Sequence, residues 1–331
     1  MRRPWLARPV LLGCGLFVAC GSGTALAETP GGLTGRGGPS DPATPPYRAA
    51  AAENPSGPIR ATLDRIDVLE PGTSDRRALE TAKAALPLDR LTPQNRRRAD
   101  AVLGNLSMFR AMPTVRLEVD HDAYRYFVEH PDVAVSIWRA LGVSKCQLWQ
   151  TGPDAYETDV GDGSTGVIDV LLRGENDHLI LGEGQFKSPL IVKPIRANAL
   201  LHLRTEYVTR PDGETETVCR GTLFVAFPSQ TVETAAKVVS PVTNMVIDRN
   251  FEEIGLFAHM MSLAMRNQPG WVENLAGQLD GVLERRRAEL LQVTARAYVA
   301  HKKRELAREG RPVSADAIAP PTRSGVTPAG R

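Results

Sequence analysis

Two cysteines lie in the body of the chain, Cys146 and Cys219, both in stretches with strand character. In an oxidising compartment such a pair can form one disulfide; the alternative is two buried thiols behaving as small hydrophobes. Neither has another cysteine or a histidine at metal-ligand spacing, so these residues suggest no zinc site and no cofactor. The histidines, His121, His130, His178, His202, His259 and His301, are scattered. His121 and Asp122 are adjacent, and adjacent side chains on a regular element point apart. His202, Arg204 and Glu206 alternate along one strand face, a pattern expected of a solvated surface with cross-strand ion pairs. Glu157, Asp159, Asp162 and Asp169 are acidic enough for calcium but lack the ordered spacing of a calcium loop. Gly161-Asp162-Gly163-Ser164-Thr165 has neither the lysine nor the following helix of a phosphate-binding loop, and no G-x-S-x-G elbow occurs. Glu183, between Gly182 and Gly184, is the one acid in a setting that allows close approach of a ligand, or simply a bend in the sheet. No catalytic set emerges, and no metal set.

What remains is binding through apolar surface. By facing arguments along the strands and the long helix, Trp149, Tyr156, Leu203, Tyr207 and Phe257 are expected to line a pocket.

The elements that would position them start at Thr114. Val115, Leu117 and Val119 alternate with charged residues as one strand. Two short helices follow, parted at His130-Pro131 and ended by Gly142. Strand-like runs then cover Lys145–Gln150, Ala155–Asp159, Gly166–Arg173, His178–Phe186, Leu190–Tyr207 and Glu216–Phe227, with Asp212-Gly213 as a hairpin turn. Consecutive hairpins with no helix between them predict an antiparallel meander. From Thr231 the apolar spacing changes to that of a long amphipathic helix, and Pro241 should kink or divide it. Before Thr114, the chain reads as two helices, one from a Ser74 cap to about Ala85 and one from Thr92 to about Met108. Arg96-Arg97-Arg98 on the second reads as a solvated face.

The order strand, two short helices, meander, long helix, with Tyr126-Phe127-Val128-Glu129-His130-Pro131-Asp132-Val133 after the first strand, resembles the START/Bet v 1-like helix-grip superfamily over Thr114–Arg266. That resemblance implies an α+β fold, a curved antiparallel sheet gripping a long C-terminal helix with a hydrophobic molecule or lipid between them. Pro241 departs from the pattern, because a kinked helix reshapes the cavity.

The ends complete the layout. Arg2, Arg3 and Arg8 precede an apolar run from Val10 to Ala19, the form of an export signal over 1–27. Ala25-Leu26-Ala27 offers a cleavage site for soluble release, the preferred route, while Val18-Ala19-Cys20 offers lipidation at Cys20. Residues 28–57 are a Gly/Pro/Ala-rich linker, 58–113 a helical lead-in, and 114–266 the main domain. Residues 267–309 form an amphipathic C-terminal helix and 310–331 a tail of disordered composition. Its Arg285-Arg286-Arg287 and Lys302-Lys303-Arg304 would suit peripheral membrane contact, as would a lipidated Cys20, although interleaved glutamates suit a solvated helix. A formal net charge of +2 gives no reason to expect nucleic acid. The expected function is that of an exported, non-enzymatic binding protein for a hydrophobic ligand; the alternative is an envelope scaffold with a solid core.

Overall fold

The computed structural model describes residues 66–188, 191–211, 213–227 and 241–318. The export signal, Cys20, the linker, Asp212, the helical start expected at 231–240 and most of the tail lie outside the described residues.

Strand β1 (Ile66–Glu70) leads to helix α1 (Arg76–Ala84). Its cap is Asp75 rather than the expected Ser74: Asp75 Oδ1 accepts the Ala78 N–H at 2.7 Å. Helix α2 (Pro93–Gly104) starts as expected, with Thr92 Oγ1 accepting the Asn95 N–H at 3.2 Å and proline in the first turn. It ends four residues sooner than expected. Leu106–Ala111 is strand β2, because Gly104-Asn105 stops the helix and Met108 and Phe109 instead pair with Val225 and Phe224. Strand β3 (Thr114–Glu118), helix α3 (His121–Glu129) and helix α4 (Pro131–Ala140) follow, and Gly142 takes φ 69° just past the end of α4. Six more strands run as hairpins: β4 (Gln147–Gly152), β5 (Ala155–Asp159), β6 (Thr165–Arg173), β7 (Asp177–Ser188), β8 (Ile191–Thr209) and β9 (Thr215–Ala226). The long helix α5 (Pro241–Asn267), α6 (Pro269–Ala276), α7 (Glu284–Arg308) and the short α8 (Ala315–Ile318) complete the described chain. The region expected as one C-terminal helix is therefore two main helices, parted around Gly281 at φ 66°.

The result is an α+β fold around one nine-stranded sheet, every pairing antiparallel, in the order β1-β3-β9-β8-β7-β6-β5-β4. β2 and β3 lie end to end along the same side of β9, against Thr222–Ala226 and Glu216–Cys219. Pro113 has no N–H to give the ladder, and Met112 donates to Gly221 O at 2.9 Å where the two meet. The stretch expected to be a helical lead-in thus supplies two strands of the sheet.

Helices pack on both faces of the sheet. On one, Leu181, Leu200, Phe224 and Phe109 meet Ala82 and Leu86 of the α1 region and Ala99 and Val102 of α2. On the other, Tyr156, Ile168 and Leu148 pack with α3, α4 and Met261 and Met265 of α5, with α6 and α7 as a further layer. Gly255 lets α5 lie against Leu117, whose Cδ2 would be 3.1 Å from a Cβ at that position. His259 Nδ1 bonds Glu118 O at 2.6 Å, and Ser262 Oγ accepts the Asp120 N–H at 2.9 Å, so polar contacts fix the register of α5 on β3. Helix α7 is held at its far end by Glu214, which Arg266 of α5 meets at 3.0 Å and Arg304 and Arg308 of α7 each meet at 3.5 Å.

Candidate functional site

The face that carries α5 has two unlike halves. Towards β4, β5 and β6 it is filled by large side chains: Tyr156 and Ile168 are buried beneath Phe127, Trp138 and Phe257. Phe257 stands edge-on to both Phe127 and Trp138, with centroids 5.2 and 5.1 Å away. Towards β7 and β8 one patch of the face carries only small side chains, between Ile180 and Leu201 at one end and Ile195 at the other. Gly182 is paired with Ala199 and Gly184 with Ala197, a block of four small residues across two strands. Around it stand Ile195, Met108, Met112, Leu223 and Val225, with Ile247 and Phe251 of α5 in the same cluster.

The five residues expected to line one pocket are not gathered around one. Tyr156 and Phe257 share the filled half of the face. Tyr207 belongs to a separate cluster with Tyr124 and Leu117, its ring also 4.0 Å from that of His121. Leu203 is half-buried, opposite Gly221. Trp149 lies on the other side of the sheet: its register partner is Glu157, whereas Leu148, one residue back, enters the core with Tyr156. A shift of one residue along a strand moves a side chain from one face to the other, and that is the error here.

The disulfide is also corrected. Cys146 and Cys219 are both free and buried. Cys146 precedes β4 at one edge, while Cys219 sits in β9 with β8, β7, β6 and β5 in between. Strands lie about 4.8 Å apart and bridged Cα atoms within about 7 Å, so no bond spans that separation. Cys219 Sγ instead donates to Tyr124 Oη at 2.9 Å, and burial pushes its thiol up to about 12. Cys146 lies 3.6 Å from Thr158 Oγ1, and burial raises its pKa as well.

His202 is not on a solvated face either. It is 2% exposed, with Nε2 3.1 Å from Asp177 Oδ1, and burial lowers its pKa. Glu206, two residues on, does form the expected cross-strand pair, with Arg220 at 2.7 Å. Arg98 leaves the solvated helical face it was assigned and reaches the sheet, bridging Asp169 at 2.5 Å and Glu183 at 2.7 Å.

A buried polar cluster that pattern reading missed lies where α3 meets α4. Arg286, from the first turn of α7, places Nη1 2.6 and 2.8 Å from the two ring nitrogens of His130 and Nη2 3.3 Å from Gln150 Oε1. Glu289 approaches both, 3.3 Å from Arg286 and 3.4 Å from His130. Tyr126 Oη donates to Arg286 O at 2.6 Å. Burial first, and the Arg286 charge second, lower the His130 pKa to about 4, so the imidazole is neutral and accepts from the guanidinium. Asp132 is 1% exposed, and burial raises its pKa against the opposing pull of the Arg286 charge. His130 and Arg286 are 156 positions apart, a separation at which local spacing carries no signal. The cluster joins α7 to the α3–α4 corner.

No family model matches the chain, and no curated protein matches it. Among solved structures, "Crystal structure of conserved protein from Geobacillus kaustophilus" is similar over 44% of this chain and 93% of that one, at 14% identity and a TM-score of 0.30. A likeness of that degree carries no argument about fold or function.

Proposed function

We propose that this chain is an exported binding protein of the helix-grip type, which holds a hydrophobic or lipid-like molecule between its sheet and helix α5. The export half of the reading rests on the residues from Met1 to Ala27. The fold half is supported by sheet order: the strand before the helix pair adjoins the last strand before the long helix, so the meander curls from β4 round to β9 and β3. The observation that carries the ligand is the block Gly182, Gly184, Ala197 and Ala199. Protein interiors are packed to near crystal density, so a floor of small side chains must be met by a closely approaching helix or by a guest molecule. The surrounding methionines are pliable enough to fit either. The proposed lining therefore moves from Trp149, Tyr156 and Phe257 to this half of the face.

Native mass spectrometry of the protein purified from its own host, followed by organic extraction, tests the reading. A bound apolar molecule at near-stoichiometric amount is expected, and Ala199→Leu, which fills the floor, should lower its occupancy. A clean apo mass, with no thermal stabilisation by a panel of fatty acids, phospholipids and sterols, would sink it. A second reading, an envelope scaffold without ligand, is favoured by the closed aromatic packing of Tyr156, Phe127, Trp138 and Phe257. Peripheral membrane contact by α7 is the weaker part of the proposal. Its Leu290, Val293, Ala297 and Leu306 are buried, so cations rather than apolar residues would face a bilayer.

A further inference from the structure

Helix α2 covers only part of its face of the sheet. Beyond Arg98 two rows of side chains remain open, each fixed by strand register. The first runs Trp149, Glu157, Val167, Glu183 and Asn198 across β4 to β8; the second runs Asp159, Thr165, Gln185 and Arg196 across β5 to β8. Together they line a groove of about 720 Å³. Val167 is 42% exposed on β6, an inner strand of the sheet with neighbours on both sides. Arg98 makes one wall. By holding Asp169 on the covered side and Glu183 on the open side, it fixes the Glu183 carboxylate in place.

We infer that this groove is a saccharide-binding site, separate from the ligand space under α5. Its floor holds a partly exposed indole and a valine with Glu157 between them, and its walls mix carboxylates, amides, a hydroxyl and a guanidinium. An apolar guest would leave Glu157 and Asn198 facing it without hydrogen-bond partners. A polyanion would meet Glu157 and Asp159, and a polycation would meet Arg196 and the paired Arg98. A neutral polyhydroxylated chain satisfies both signs, since each hydroxyl donates and accepts, while the C–H face of a sugar ring stacks on Trp149. The groove is open rather than enclosed, so the guest is an extended oligomer lying across the strands.

The full chain is titrated with cellohexaose, chitohexaose and maltohexaose, following indole fluorescence and calorimetric heat. At least one hexaose is expected to bind saturably, with affinity ~10-fold weaker in Trp149→Ala, about the loss of one good stacking contact. Asn198→Ala should weaken the same sugar, and a fluorescence change upon binding should vanish with Trp149→Ala. Should that variant unfold, Glu157→Lys on the exposed rim reads the same groove. No heat and no fluorescence change with all three sugars overturns the inference, as does binding that Trp149→Ala and Glu157→Lys both leave unchanged. Because Ala199→Leu fills the other face, its effect on lipid occupancy is independent of this test.

Discussion

At the scale of single residues, buried histidines contribute to the response to acid. His130 and His178 are both held neutral in the folded protein, with burial the main cause, and each pKa falls from 6.5 to about 4. The unfolded chain takes up those protons near pH 6.5 and the folded chain only near pH 4. Their contribution is therefore fully present above pH 6.5 and is lost as pH falls from 6.5 towards 4, by at most ~1.4 kcal/mol per pH unit for each group. Urea midpoints should hold from pH 7.5 to about 6.5 and drop from there to pH 4.5, and His178→Leu should flatten that lower slope; an unchanged slope would contradict the assignment. The cysteines give a second residue-level expectation. With burial raising both thiols, neither reacts as a thiolate in the native state. Iodoacetamide at neutral pH should leave the mass of the folded protein unchanged at these two positions and label both in denaturant.

At the scale of elements, Glu214 ties three arginines on two helices to the β8–β9 hairpin. Arg266 is 4% exposed, and removing the Glu214 charge leaves this buried cation with the more distant Glu118 carboxylate at 3.9 Å. Glu214→Gln should cost about 3–5 kcal/mol, as for breaking a buried pair, read as a lowered urea midpoint. Arg98→Ala is expected to cost about 1 kcal/mol or less, because Arg98 and Glu183 are partly exposed. A loss much larger than that would make the bridge a core feature rather than a groove wall. The elements themselves were largely legible from sequence. Alternation gave the strands from β3 to β9, and His130-Pro131 and Gly142 marked where α3 parts from α4 and where α4 ends. β2 was hidden because Ala99, Val102, Leu103, Leu106 and Phe109 happen to keep helical spacing across a true stop at Gly104. The candidate sites were much less legible. Whether Leu148 or Trp149 enters the core is decided by which residue of β5 lies opposite, and Arg98, Asp169 and Glu183 meet only once the sheet has formed.

For the molecule as a whole, α7 is structural cover rather than an appendage. Leu290, Val293 and Ala297 close the core that Tyr156, Ile168 and Trp138 begin. Ending the chain before Glu284 should expose that core, giving a dye-binding state with helix and sheet signals but no cooperative melt; a sharp thermal transition in the truncated chain would refute this. The groove beside α2 and the small-residue floor under α5 lie on opposite faces of one sheet, so a substitution at either should leave the other's binding intact unless the sheet itself distorts.

The end-to-end placement of β2 and β3 along β9 also has a consequence in time. Val115 pairs with Cys219, about a hundred residues downstream, whereas β7 and β8 pair as neighbours in sequence. Contacts that close long loops form late, so the meander should gain amide protection first and the β2–β3 side last in pulse-labelling during refolding. Until β9 has been synthesised, β2 and β3 lack the partner they share, and the nascent chain stays open along that side. Under the proposed export reading, such a delay would keep the chain in a translocatable form.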